Sequence, residues 1–533
     1  VVIKLNLADA FGAWERGDAP TARNIVRMVL RETPKLAGAH YLQGLLYLGE
    51  GQPSKAVQAL KNAALHGPDS PALRLAMGRA YALGGAGAQA EEQFRQALAL
   101  APGLPAALWS LSDVLMKAGR GDEAEPLLLS LIDARPEDEL AWERLGVLRR
   151  ERGDSAGALA AFTEAAARLP DHPRPLGNLA AALIEAGRAD EALPLLEAAR
   201  AKHSDDTGLT RNHALALVRG GQAATALPLY EALLADTAAP DLSRDYAQAL
   251  LSAGRAGTAV TVLAAVTETA ADDLKSWFLL GEAARAAGDA DAAARAYQRC
   301  LALDSTDSLG ASAALALLAG DGGPNQLPMP YLKNLFNDYA ARFDYELTGK
   351  LQYRGPEVLR TLLAAQSDRQ NLRVIDVGCG TGLSGLPFRD LAETLTGIDL
   401  SPAMLVQAKA RDLYDHLIEG EAVEALAKLP PASADLIVAA DVLVYLGELD
   451  AFHREAARVL APRGLLLASV EAAADSETPF HLHDGLRYQH GADALRRLLE
   501  ALGYRIIALT PVTTRLNRGE PVAGLAYLAE RPA

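Results

Sequence analysis

Glycine recurs at a fixed interval through roughly the first 300 residues of this chain, and that interval constrains the fold more than any other feature. Gly17, Gly51, Gly85, Gly119, Gly153, Gly187 and Gly221 are spaced by 34 residues, and the series continues at Gly254, one residue early, and at Gly288. A second series keeps phase with it: Ala22, Ala56, Ala90, Ala124, Ala158, Ala192, Ala226, Ala259 and Ala293. It takes the same one-residue step between its seventh and eighth members. Pro34, Pro68, Pro102, Pro136 and Pro170 join the pattern. Two series in phase over nine members are not a product of chance. One structural unit is copied and stacked, so the length of this region is set by repeat number and not by the size of a single core.

Each unit reads as a helix, a turn and a second helix. The glycine marks the reversal, where a Cβ is not tolerated. The alanine marks the close approach of two helices, and the proline marks the place where a helix must stop. The pattern resembles the tetratricopeptide repeat (TPR). The third unit carries Leu75, Gly78, Tyr81, Ala90, Phe94, Ala97 and Pro102; the ninth carries Trp277, Gly281, Gly288, Ala293, Tyr297 and Cys300. The position held by Gly44, Gly78, Gly146 and Gly281 becomes Ser112, Ala180, Ala214 and Ala247 elsewhere, all small. Nine repeats run from about residue 4 to about 306, and Leu309–Ala319 reads as a helix capping the open end. The resemblance implies an α-solenoid, a TPR superhelix, whose concave surface binds a protein or peptide. A spacer or an oligomerisation scaffold is the alternative reading, and the oligomeric state is not legible.

Composition fits helices packed through small side chains: 50% of residues are hydrophobic but only 5% are aromatic. The net charge of −15 divides almost evenly, −8 before residue 321 and −7 after it, so neither part offers the basic cluster that nucleic acid needs. Cys300 and Cys379 are the two cysteines, too few for a disulfide scaffold or a four-cysteine metal centre. No apolar run approaches the roughly 18 residues of a membrane span. The start shows no secretory pattern, although trimming before Val1 could hide one. A cytoplasmic protein with no membrane partner is the expectation.

Asp321-Gly-Gly-Pro-Asn-Gln-Leu-Pro-Met-Pro330 ends the period and reads as a linker, which divides the chain into residues 1–320, 321–330 and 331–533. Beyond it, helical segments at about 331–341 and 355–366 precede strands at Arg373–Val377, Thr394–Ile398, Leu436–Ala440 and Leu465–Val470. That alternation predicts a doubly wound parallel α/β sheet. Arg505–Leu509 and Val522–Leu528 lack a helical crossover, so the sheet should close with a reversed strand. The first strand runs into Asp376-Val-Gly378-Cys-Gly380-Thr-Gly382, a glycine loop expected to open a helix. A dinucleotide fingerprint would place its third glycine at 383, which is Leu383.

The G-x-G-x-G spacing, with an acid two residues ahead of it, resembles motif I of the class I S-adenosylmethionine-dependent methyltransferases. The reversed last strand resembles the seven-stranded sheet of that family. The resemblance covers about residues 331–530. It implies S-adenosyl-L-methionine as cofactor and S-adenosyl-L-homocysteine as product. It also implies that Asp376, Gly378, Gly380 and Gly382 lie near the methionine end, Asp399 near the ribose and Glu421 near the adenine. Asp441, in Ala439-Ala-Asp441-Val-Leu-Val-Tyr445-Leu, would line the cofactor and substrate. Phe336, Tyr339 and Phe343 fall on one helix face, as core or as a flap over the cofactor.

Methyl transfer from a sulfonium needs alignment above all, and a base only when the nucleophile arrives protonated. The Asn/Asp-Pro-Pro-Tyr motif for planar amides and exocyclic amines is absent. The stretch Phe480–His490 follows the fifth strand, where this fold places substrate-facing loops. His490 and Tyr488 are its candidates for a base or a substrate-orienting group. His481 and His483 lack a third ligand, so no metal is assigned. Arg515 and Arg518 could hold an anionic substrate. The leading expectation is a methyltransferase acting on a protein or peptide recruited by the repeats. The alternatives are a small-molecule methyltransferase whose repeats serve assembly, and an interaction scaffold whose methyltransferase domain is inactive.

Overall fold

The computed structural model describes residues 6–237, 239–320, 323–483, 485–517 and 519–531. Asp321, Asp484 and Arg518 lie outside the described residues. The chain packs as two compact units: residues up to Arg152 together with Ala156–Pro175, and Gly153–Ser155 together with everything from Leu176 on.

Helix pairs fill the first unit and open the second, from Leu7–Glu15 with Ala19–Glu32 to Leu274–Ala286 with Ala290–Leu303. The two sequence series have separate physical causes. Every glycine of the 34-residue series has positive φ, between 65° and 81°, and reverses the chain between the helices of a pair. Every alanine of the second series is buried. The small residue of the first helix receives a large one from the second. A Cβ on Gly146 would lie 2.7 Å from the Phe162 ring, and one on Gly44 2.5 Å from Leu60. Gly78 and Gly281 meet Phe94 and Tyr297 in the same way. Ala311–Ala319 forms the helix expected after the ninth pair.

The second unit goes on through the helix Met329–Tyr339, the short helix Phe343–Tyr345 and a π-helix at Glu346–Lys350 to a nine-stranded sheet. The strands are β1 (Leu372–Val377), β2 (Ala392–Asp399), β3 (His416–Glu419), β4 (Ala434–Ala439), β5 (Leu460–Ala472), β6 (His481–His483), β7 (Arg487–His490), β8 (Arg505–Asn517) and β9 (Glu520–Glu530). The order β3-β2-β1-β4-β5 is parallel throughout. β9 then pairs antiparallel with β5 and with β8. This is the doubly wound sheet with a reversed last strand that the sequence predicts. β6 and β7 add a small hairpin on the end of β5. Buried side chains cover both faces, around Phe452, Leu495 and Leu499 on one and Leu359, Leu363 and Phe388 on the other.

Two expectations change. The glycine loop does not open an α-helix. It runs through turns into a 3-10 helix at Leu386–Leu391, because Gly382, Gly385 and Pro387 break up the α-helical ladder. The Phe480–His490 stretch is also no simple loop, since it holds the β6–β7 hairpin.

Candidate active site

A cavity of about 390 Å³ opens at the carboxyl ends of β1, β2 and β4. Its floor is the glycine loop. Gly378 and Gly380 both have positive φ and both line it. A Cβ on Gly378 would stand 2.6 Å from Val442, so the loop after β4 leaves no room for a side chain there. The carboxylate of Asp399 holds the loop in place. One oxygen accepts the Gly380 N–H at 2.8 Å and the other accepts the Ser401 N–H at 2.8 Å. Burial outweighs these donors and pushes Asp399 up to about 6. Glu421 also lines the cavity, and one of its oxygens caps the following helix by accepting the Glu424 N–H at 2.9 Å.

A lid covers the cavity. Phe336, Tyr339 and Phe343 all face it, along with Leu347 and Tyr353. Phe336 packs edge-on against Tyr445, their centroids 5.2 Å apart, and Tyr339 packs likewise on Phe343. The lid is tied down at several points. Asp344 accepts from Thr381 Oγ1 at 2.5 Å and pairs with Arg411, which joins the lid to the glycine loop. Asn337 accepts from Ser401 Oγ at 2.7 Å. On its outer side the lid rests on the turn of the sixth repeat. Gly187 there is covered by Tyr345, Arg342 and Glu346, and the Tyr345 hydroxyl donates to Asp190 at 3.3 Å. A Cβ on any of the other eight turn glycines would meet nothing within 4 Å among the described residues, although the Gly153 carbonyl of the fifth turn accepts from Gln407 Nε2 at 2.8 Å.

A charged network forms the wall on the β5 side. Buried Glu471 accepts from Arg487 Nε and Arg515 Nη2, both at 2.7 Å on one oxygen, and its other oxygen lies 2.9 Å from His483 Nε2. Arg487 also donates to Tyr445 Oη at 2.7 Å and to Asp441 at 2.6 Å. Burial opposes ionisation of Glu471, but His483, Arg487 and Arg515 outweigh it and hold the carboxyl down to about 2. Burial likewise opposes the charge on Arg487, and Asp441, Tyr445 and Glu471 more than restore it. Asp441 sits at φ +57°, a left-handed conformation that an aspartate tolerates better than most residues.

The structure brings Gly378, Gly380, Asp399, Glu421, Asp441 and Tyr339 together around this cavity. Four other candidates lie off its wall. Asp376 is fully buried, and one of its oxygens accepts from Ser384 Oγ at 2.6 Å and Tyr414 Oη at 2.7 Å. It braces the loop from behind, and burial pushes it up to about 6. Gly382 is buried against Arg411 and Tyr414. Tyr488 is fully buried, with its hydroxyl donating to the Pro324 carbonyl. His490 is 2% exposed, with Nε2 3.0 Å from the Gly447 carbonyl, and burial pushes it down to about 4. The reason for these last two is strand geometry. Successive side chains of β7 alternate, so Tyr488 and His490 share the packed face while Arg487 turns to the cavity. Over the four residues of β7 that alternation was too short to be read from the sequence, so Arg487 was missed. Tyr353 carried no comparable mark, whereas Tyr445 stood in the Ala439–Leu446 segment expected to line the cofactor and substrate.

Residues 375–468 match a family model described as a methyltransferase domain. Residues 41–105, 110–173, 211–273 and 244–308 match one tetratricopeptide-repeat model, and residues 149–209 match another. A malonyl-[acyl-carrier protein] O-methyltransferase of Serratia marcescens is 32% identical over 117 residues, which cover 22% of this chain and 45% of the relative. One of the same description from Hahella chejuensis is 33% identical over 185 residues, 34% of this chain and 62% of the relative. The chain thus spans about half the length of such curated relatives. Among solved structures, a tetratricopeptide repeat protein of Parabacteroides merdae aligns with a TM-score of 0.40 at 16% identity, over 46% of this chain and 97% of that one. The chain therefore carries a run of tetratricopeptide repeats and, after it, a methyltransferase domain of the class I, S-adenosylmethionine-dependent kind.

Proposed function

We propose that the protein transfers a methyl group from S-adenosylmethionine to a protein or peptide recruited by its repeats. Residues 1–320 recruit and residues 331–533 transfer. The observation that carries this reading is the cavity itself. Its floor has two positions, Gly378 and Gly380, with no side chain to obstruct a ligand, and it is enclosed by an aromatic lid resting on a repeat turn.

The wall suits the cofactor. The Asp399 carboxylate is met by backbone N–H groups alone, of Gly380, Ser401 and Leu400, and keeps lone-pair capacity for a ribose hydroxyl. Glu421 has one oxygen not engaged in its helix cap, which can accept from an adenine amine. S-adenosylmethionine, when bound, supplies an electrophilic methyl group that needs little besides an aligned nucleophile. The chain's part is to exclude water and fix alignment. Phe336, Tyr339 and Phe343 close the apolar side, and Asp344 and Asn337 hold them there. No general base is assigned, since burial pushes the Tyr445 and Tyr353 phenols up and away from ionisation.

A second reading, transfer to a small molecule, is favoured by the relatives named as O-methyltransferases of ubiquinone biosynthesis, whereas those named for malonyl-[acyl-carrier protein] act on a group carried by a protein. The full chain should be incubated with methyl-labelled S-adenosylmethionine and a cell extract separated into macromolecular and low-mass fractions. Label in the protein fraction that disappears with Asp399→Ala is expected. Label confined to the low-mass fraction would replace this reading with the second. Absence of S-adenosylhomocysteine binding in calorimetry would remove both.

A further inference from the structure

The wall on the β5 side has more hydrogen-bonding capacity than the protein uses. Arg487 is spent: its Nε, Nη1 and Nη2 donate to Glu471, Tyr445 and Asp441. Arg515 is not. It lines the same cavity and 11% of its side chain is exposed. Its one protein hydrogen bond among the described residues runs from Nη2 to Glu471, which leaves both N–H groups of Nη1 and the second of Nη2 without a protein partner. Tyr445 adds to the surplus, because its oxygen accepts from Arg487 and its O–H stays free to donate.

Arg515 is also held too firmly to swing out into solvent. The residues on either side of it are pinned to the lid. The Arg354 N–H donates to the Thr514 carbonyl at 2.7 Å, and the Leu516 N–H donates to the Leu351 carbonyl at 2.7 Å. Apolar side chains, Leu347, Leu351 and Phe343 among them, line much of the remaining wall.

We propose that Arg515, backed by Arg487 and the Tyr445 hydroxyl, is a carboxylate-receiving subsite that orients the methyl acceptor. A guanidinium whose Nη1 and second Nη2 N–H groups are unused matches a carboxylate in geometry. Arg487 and Arg515 together are offset by Glu471 and Asp441, so the wall has no surplus positive charge, and recognition rests on its unused N–H and O–H donors, which suit a carboxylate better than a doubly charged phosphate. The acceptor would carry its carboxylate at one end and an apolar body toward the lid. The inference rests on the methyl-transfer reading above, and the cofactor's own methionine carboxylate is the competing source of the same chemistry.

Hexanoate and hexanamide serve as probes, differing in the charged end alone. Each is titrated by calorimetry into the full chain, with and without saturating S-adenosylhomocysteine. The subsite predicts at least tenfold tighter binding of hexanoate than of hexanamide, undiminished when S-adenosylhomocysteine is present. Arg515→Gln should abolish the preference while changing S-adenosylhomocysteine affinity less than twofold, and Arg515→Lys should restore part of it, which excludes misfolding as the cause. Equal binding of the two probes overturns the proposal. So does hexanoate that competes with S-adenosylhomocysteine, or a Gln variant that loses both ligands together, since either assigns Arg515 to the cofactor. If S-adenosylhomocysteine does not bind wild type, the methyl-transfer reading fails, and the hexanoate preference of the ligand-free protein still decides the subsite.

Discussion

Gly187 and Gly221 turn the chain in successive repeats with nearly the same backbone, at φ +77° and +79°, but only Gly187 carries the lid. Replacing each by alanine separates backbone strain from lid contact. At either position an alanine must adopt a left-handed conformation, at a cost of about 1–2 kcal/mol. At Gly221 the new Cβ meets nothing within 4 Å among the described residues, so that strain is the whole effect. At Gly187 the Cβ would stand 3.1 Å from the Tyr345 ring and 3.2 Å from Arg342 Cβ. Overpacking of this kind adds at least about 1 kcal/mol, and the lid is the side that can yield. If closure weakens by about 1 kcal/mol, ligand affinity falls about fivefold. Both variants should therefore lose similar stability from backbone strain in thermal unfolding. Gly187→Ala alone should bind S-adenosylhomocysteine several-fold more weakly and exchange amide hydrogens faster over residues 329–350. Indistinguishable ligand affinity and lid exchange in the two variants would refute the coupling of the sixth repeat to the lid.

Three further outcomes are expected. Asp399 should make S-adenosylhomocysteine binding depend on pH, because ribose hydroxyls donate to its ionised form: affinity is full above pH about 6 and falls as pH drops through it, and Asp399→Asn flattens the profile. In the ligand-free protein the sign is reversed. Asp399 and Asp376 both titrate near 6 when folded and near 4 when unfolded, so the folded chain holds more protons and stability falls as pH rises between about 4 and 6; Asp399→Asn removes only one share of that slope. Tyr488→Phe should lower stability by about 1 kcal/mol, by leaving the Pro324 carbonyl without its donor, and leave the rate per folded molecule unchanged, whereas a lost rate at full stability would return Tyr488 to the chemistry.

The parts of this protein that were legible in its sequence are those where one residue type is enforced by geometry. A turn at positive φ admits glycine, and a helix crossing against Phe94 or Phe162 admits a small residue, so the 34-residue period shows both. The glycine loop and Asp399 were visible for the same reason, since backbone approach to a ligand fixes residue type and spacing. The hairpin of β6 and β7 was hidden because its strands have three and four residues, too short for the alternation to be counted. That concealment led to the choice of Tyr488 and His490 over Arg487. The bracing role of Asp376 was also out of reach. A carboxylate before a glycine loop looks the same whether it faces a ligand or, as here, Ser384 and Tyr414 behind the loop.

The seat of the lid on Gly187 divides the repeat array by how freely its number can change. Three repeats and a capping helix connect that turn to Arg342 and Tyr345. A repeat duplicated or lost before Gly187 leaves this closed stretch of chain as it is, whereas one gained or lost after it would carry a different turn to the lid, without the Asp190 that meets the Tyr345 hydroxyl. Repeat arrays ordinarily grow and shrink at any point along their length. Gln407 of the methyltransferase domain also donates to the Gly153 carbonyl of the fifth turn, so in this chain that domain acts as a fixed end, and the number of repeats can drift on the far side of the fifth alone.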